Sequence, residues 1–177
     1  MQVLPTGYDP VRDAISDHAV GRHRGLYRGR LVAGGMACLG DALVLSGLHP
    51  SVPTFVVVMP TVNAAARFLL PSIPTHRAGS RFQTVKGTVH MVPAFLALGA
   101  VAAAATSLSG LITHDPEWNG AEGLIVTPGW LVLAGAVLCV PGLLGPRLQQ
   151  IFGLIGRLFT VSVITWLAVI SVELIRR

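Results

Sequence analysis

Asp9, Asp13 and Asp17 recur every four residues, and His18 and His23 follow closely. Residues four apart share a helix face, so this spacing predicts three carboxyl groups in a row. Asp41, Asn63, Arg67, His90 and Arg157 are polar residues set inside otherwise apolar runs. Carboxylates beside imidazoles can exchange protons with a substrate, and a guanidinium can neutralise an anion. Together these residues predict a polar site at one membrane face, formed by Asp9, Asp13, Asp17, Arg67 and His90. Asp13 and Asp17 are expected as acceptors or proton carriers, Arg67 as their charge partner and His90 as a donor at the pocket mouth. If the site is catalytic, Asp13, Asp17 and His90 are the candidates. His18, His23, His76, Arg81 and Thr84 are expected at the same face.

Other chemistries find less support in the residue pattern. A zinc site would need ligand pairs such as HxxxH or HExxH, which the sequence lacks, so no metal is expected. Haem needs two axial ligands at matching depth, and His90 has no imidazole opposite it in the other apolar runs, so no cofactor is expected. No serine sits in a G-x-S-x-G elbow. Cys38 and Cys139 lie singly in apolar runs and read as small hydrophobes. Asp41 and Asn63 lie about nine and twelve residues from the turn at His49 to Val52, which sets them within ~5 Å in depth at the helical rise. They are expected to clamp two helices together.

The elements that must hold these groups are set by composition. Of the 177 residues, 52% are hydrophobic and only 12% charged, against about 25% charged in soluble domains. Mean hydropathy is +0.66. Five apolar runs, near 31–48, 52–70, 87–111, 124–144 and 151–174, each match the roughly 20 residues that cross a bilayer as a helix. Hydrocarbon offers no partner for backbone amides, so each run must be helical. The chain is therefore expected to be all-α: one transmembrane domain over 1–177 with about five spans. Residues 1–30 form an interfacial segment with a short helix, in which Asp9 serves as cap and Pro10 fills the first turn. Pro60 is expected to kink the second span.

A net charge of +5 accompanies this pattern. Basic residues flanking apolar helices arise from membrane orientation, and no basic stripe interleaved with aromatics is present, so nucleic acid is excluded as a partner. Nine basic residues outside the spans fall on the side of the N-terminus and two on the other, which predicts a cytoplasmic N-terminus. Lys86 is the one lysine among thirteen basic residues, a bias that with abundant Ala, Gly and Val points to a bacterial inner-membrane protein. The chain opens Met-Gln-Val-Leu-Pro-Thr-Gly without the segments of a secretory leader, so insertion is expected to fall to the first span.

Two segments resemble a known family. Tyr8-Asp9-Pro10-Val11-Arg12, continuing through Ile15-Ser16-Asp17 to Gly21, is similar to the opening loop of the DUF998 family of polytopic bacterial membrane proteins. Leu70-Pro71-Ser72-Ile73-Pro74, with Thr84, Gly87 and His90 after it, resembles that family's proline-containing loop and the start of its next helix. The resemblance covers about residues 7–110 and implies a multi-pass helical fold; the family carries no established activity. It also implies a further helix ahead of Tyr8, where seven residues stand in this sequence. Relatives often carry an acid after the loop proline, where this chain has Ser72 and Ile73.

Three functions remain open on these grounds. The protein binds a membrane lipid or small hydrophobic ligand at a polar face; or it is an enzyme using the Asp and His groups on a lipid or isoprenoid-like substrate; or it is an accessory subunit that docks on a membrane protein partner or on a second copy of itself.

Overall fold

The computed structural model describes residues 9–19, 23–48, 52–73, 85–114, 118, 120, 122–144 and 146–176. His49, His76, Arg81, Thr84, Asp115 and Glu117 lie outside the described residues. Among the described residues six α-helices follow one another: α1 (Arg24–Leu48), α2 (Thr54–Leu69), α3 (Val85–Ile112), α4 (Glu122–Leu144), α5 (Pro146–Gln149) and α6 (Phe152–Ile175). Five of them, all but the single turn α5, are long and apolar enough to cross a membrane. The architecture is the all-α bundle that the apolar runs predict. In detail, α1 begins at Arg24 rather than near residue 31 because Arg24 to Arg30 join it, which carries Tyr27 and Arg30 into the bundle.

Each long helix packs on its sequence neighbour, α1 on α2, α2 on α3, α3 on α4 and α4 on α6, and α6 returns to touch α1. The core inside this ring runs from Cys38, Leu45 and Val56 through Val101, Ala105 and Leu108 to Ile125, Val132, Val163, Trp166 and Ile170. Alanine dominates the inner side of α3, where Ala97, Ala100, Ala104 and Ala105 are buried and let neighbouring backbones come close. Outward, the helices present Met36, Leu43, Phe55, Val58, Leu96, Leu131, Leu138, Leu158, Val161 and Ile164. Between 28% and 44% of each span is buried inside the protein. An apolar surface of that extent is stable only against hydrocarbon, since in water it would drive association.

Among the described N-terminal residues, a turn at 10–12 leads into a short 3-10 helix, Ile15–Ala19. In place of the expected short interfacial α-helix beginning at Asp9 and Pro10, the chain forms this turn and 3-10 helix, which turn Ala14, Asp17 and His18 inward. Its docking depends on Gly153 in the first turn of α6. A Cβ there would lie 2.8 Å from the Val11 carbonyl oxygen and closer still to that of Asp13. The absence of a side chain lets Leu154 N–H donate to the Val11 carbonyl at 3.0 Å. Gly34 serves α1 and α2 in the same way, since the Arg67 guanidinium fills the space a Cβ would take.

Candidate functional site

The three N-terminal aspartates are spent on backbone amides. Asp9 Oδ1 accepts from Val11 N–H at 2.8 Å, Asp13 Oδ2 from Asp9 N–H at 2.8 Å, and Asp17 Oδ2 from Ala14 N–H at 2.9 Å. Short polar side chains compete for nearby amides and favour turns over continuous helix. The four-residue spacing thus builds a turn and a 3-10 helix instead of one helical face of acids. Arg12 pairs loosely with Asp9 at 3.8 Å, in the open. Arg157 reaches from α6 and donates through Nη1 to the Asp13 carbonyl at 3.0 Å, so this intramembrane cation ties the segment to the bundle.

Asp41 and Asn63, expected to clamp α1 to α2, take other partners. Asn63 is fully buried, and its Oδ1 accepts from Arg67 Nε at 2.8 Å and from Cys38 Sγ at 3.2 Å. Its amide donates to the Ala97 carbonyl, so one side chain links α1, α2 and α3. Asp41 instead accepts from Ser171 Oγ on α6 at 2.9 Å. Arg30, one turn before Gly34 on α1, donates to Thr160 Oγ1 on α6 at 3.3 Å. Arg67, expected as the charge partner of Asp13 and Asp17, thus rests on the neutral Asn63 oxygen, and Arg30 on the Thr160 hydroxyl.

A cavity of about 150 Å³ opens at the end of the bundle that carries the N-terminal segment. Its lining comes from helix ends: Ser16 before α1, Tyr27 in the first turn of α1, Leu70 after α2, Gly87 and His90 early in α3, and Phe152 at the start of α6. Met91, Ala94, Phe95 and Leu98 form its deeper wall. The wall is largely apolar, with Ser16, Tyr27 and His90 as its hydrogen-bonding side chains. His90 is buried, and its Nδ1 lies 3.1 Å from the Ile73 carbonyl. A carbonyl only accepts, so that nitrogen carries the proton, and Nε2 is the basic nitrogen of the neutral ring.

Of the five residues proposed as one ligand-binding site, His90 lines this cavity and Asp17 adjoins it through Ser16. Asp9 and Asp13 stand in the outer turn, and Arg67 lies against Asn63 and Gly34. The sequence reading missed Tyr27, assigned then to an interfacial segment, and Ser171. Ser171 carried a usable signal: the first and fifth crossings run the same way, and Asp41 and Ser171 each lie within two turns of the far end. Among the described residues no group of three His, Cys, Asp or Glu side chains could hold a metal.

Five spanning helices around an alanine-lined core, with a cavity where one end meets a docked N-terminal segment, define a polytopic helical membrane protein. The chain belongs to the DUF998 family, a family described as a protein of unknown function, whose model matches residues 1–173. The match extends well past the region where short motifs carry the resemblance. Among curated proteins and solved structures, none matches the chain.

Proposed function

We propose that this protein binds a lipid-like or small hydrophobic ligand in the cavity between Tyr27, Leu70, His90 and Phe152, at the cytoplasmic face of the cell membrane. The observation that carries the reading is the cavity itself, an apolar recess with a few convergent polar groups, as ligand sites typically are. Its volume of about 150 Å³ is that of a recess that takes up a benzene-sized group. The ligand therefore inserts a ring or short branched hydrocarbon unit between Met91, Ala94 and Phe95. Its polar end meets Ser16, the Tyr27 hydroxyl and the His90 ring. The cytoplasmic assignment rests on the excess of basic residues on the N-terminal side.

Native mass spectrometry of the detergent-extracted protein tests this. The wild type is expected to retain an adduct of lipid mass, and Ala94→Phe, which fills the recess, to lose it at unchanged folding. An adduct retained equally by both proteins overturns the reading. His90→Ala separates binding from catalysis: a binder loses affinity, whereas an enzyme keeps the ligand and loses turnover.

A further inference from the structure

In the other half of the bundle, Asp41 lines a small cavity of about 10 Å³ with Leu45, Val56, Pro60, Leu108 and Trp166. That is about the smallest space that holds one water molecule. Asp41 is only 8% exposed, and its Oδ2 has no hydrogen-bond partner among the described residues. Its Oδ1 shares a single proton, since Ser171 Oγ also lies 2.8 Å from the Leu167 carbonyl. A second acceptor belongs to a residue that lines the same space. Pro60 has no N–H to give to the residue four before it, which strips the Val56 carbonyl of its helical partner, and Val56 lines the cavity. Trp166, which lines the same void, carries a buried Nε1–H that likewise lacks a partner among the described residues. A small molecule able both to donate to the acceptors and to accept from such a donor, as water is, therefore fits the site. Leaving such groups bare inside a membrane is unfavourable, since hydrocarbon offers no replacement partner.

We propose that this cavity holds one ordered water, which donates to Asp41 Oδ2 and to the Val56 carbonyl and so joins α1 to the proline break of α2. The site is a hydrated carboxyl group within the spans, separate from the cavity at the opposite end, and its failure would leave the ligand-binding reading untouched.

Hydroxyl-radical labelling by X-ray pulses, on protein in lipid nanodiscs and read by mass spectrometry, reports waters trapped beside buried side chains. Leu45, Leu108 and Trp166 are expected to oxidise well above dry core positions such as Ile125 and Val163. Pro60→Ala returns an amide to the Val56 carbonyl, keeps the other walls and should bring that labelling down to the dry level. Asp41→Leu should do the same, and Pro60→Ala decides the matter should Asp41→Leu fail to fold. Labelling no higher than at Ile125 in the wild type, or unchanged in Pro60→Ala, overturns the proposal. A sodium-dependent rise in thermal stability that Asp41→Asn abolishes, without labelling, would overturn it in favour of a cation.

Discussion

At the N-terminal end, Asp9, Asp13 and Asp17 are answered by amides two to four residues away, whereas Asp41 reaches across the bundle to Ser171 on another helix. The difference follows from where free amides exist. A turn leaves backbone N–H groups unused, and a short acid captures them locally. Inside a span every amide beyond the first turn is committed to the helix ladder. An acid or amide there must look to side chains on other helices, to carbonyls released by proline, or to water. Local satisfaction shapes one segment; long-range satisfaction fixes how helices sit against each other.

Asn63→Ala should give the largest effect. It removes the acceptor of the Arg67 guanidinium, the acceptor of Cys38 Sγ and the donor to Ala97, three bonds to three helices. Intramembrane bonds average roughly 0.6 kcal/mol each, and a stranded cationic donor adds to that, so a loss of about 3 kcal/mol is expected. Thermal unfolding in detergent checks it, and the drop should be global. Asp17→Ala should cost about 2 kcal/mol by leaving the Ala14 amide unsatisfied in a buried site. The loss should instead be local. Hydrogen exchange should accelerate over residues 9–19 while the melting temperature of the bundle moves little. Equal, global losses in both variants would erase the contrast between the two ends.

How much of this was readable in advance divides along the same line. Five apolar runs gave the five spanning helices because hydrophobic length alone decides that a segment crosses hydrocarbon. The acid triad misled because a four-residue period is equally compatible with a helical face and with successive turn caps, and Pro10 and three aspartates favour the latter. Asn63 was expected to clamp α1 to α2 with Asp41, whereas its partners are Cys38 on α1, Ala97 on α3 and Arg67 on its own helix. Depth matching between sequence neighbours cannot rank α2 against α6 as the partner of α1, and the return of α6 to α1 is a tertiary fact.

Gly153→Ala probes how the local segment is held to the bundle. A methyl group there would press on the carbonyls of Val11 and Asp13, both of which accept bonds from α6. Overpacking of this kind costs about 1–3 kcal/mol when nothing can move aside. The segment can move, so the expected outcome lies at the lower end, with faster proteolysis near residues 9–19 and lost protection at Leu154. An unchanged Leu154 amide would show that the segment docks by its side chains alone.

The smallest expected effect is a pH dependence of that docking. His18 is buried, and burial lowers its pKa below the ordinary 6.5, with the nearby Arg157 guanidinium acting in the same direction and Asp17 opposing it. A base with a depressed folded-state pKa is held neutral by the fold, so the undocked segment binds more protons than the docked one just below pH 6.5. Stability linked to His18 is therefore complete above that pH and declines as the pH falls toward its folded value. Hydrogen exchange over residues 9–19 should accelerate on acidification through this window and stay flat in His18→Gln, which cannot take up a proton. The Asn63 amide joins α2 to α3 through the Ala97 carbonyl, a bond between neutral groups, so exchange around Ala97 should not follow the same curve. Acceleration at both places would mean that the N-terminal segment and the bundle open as one unit, and the division between locally and distantly satisfied polar groups would then hold in geometry but not in energy.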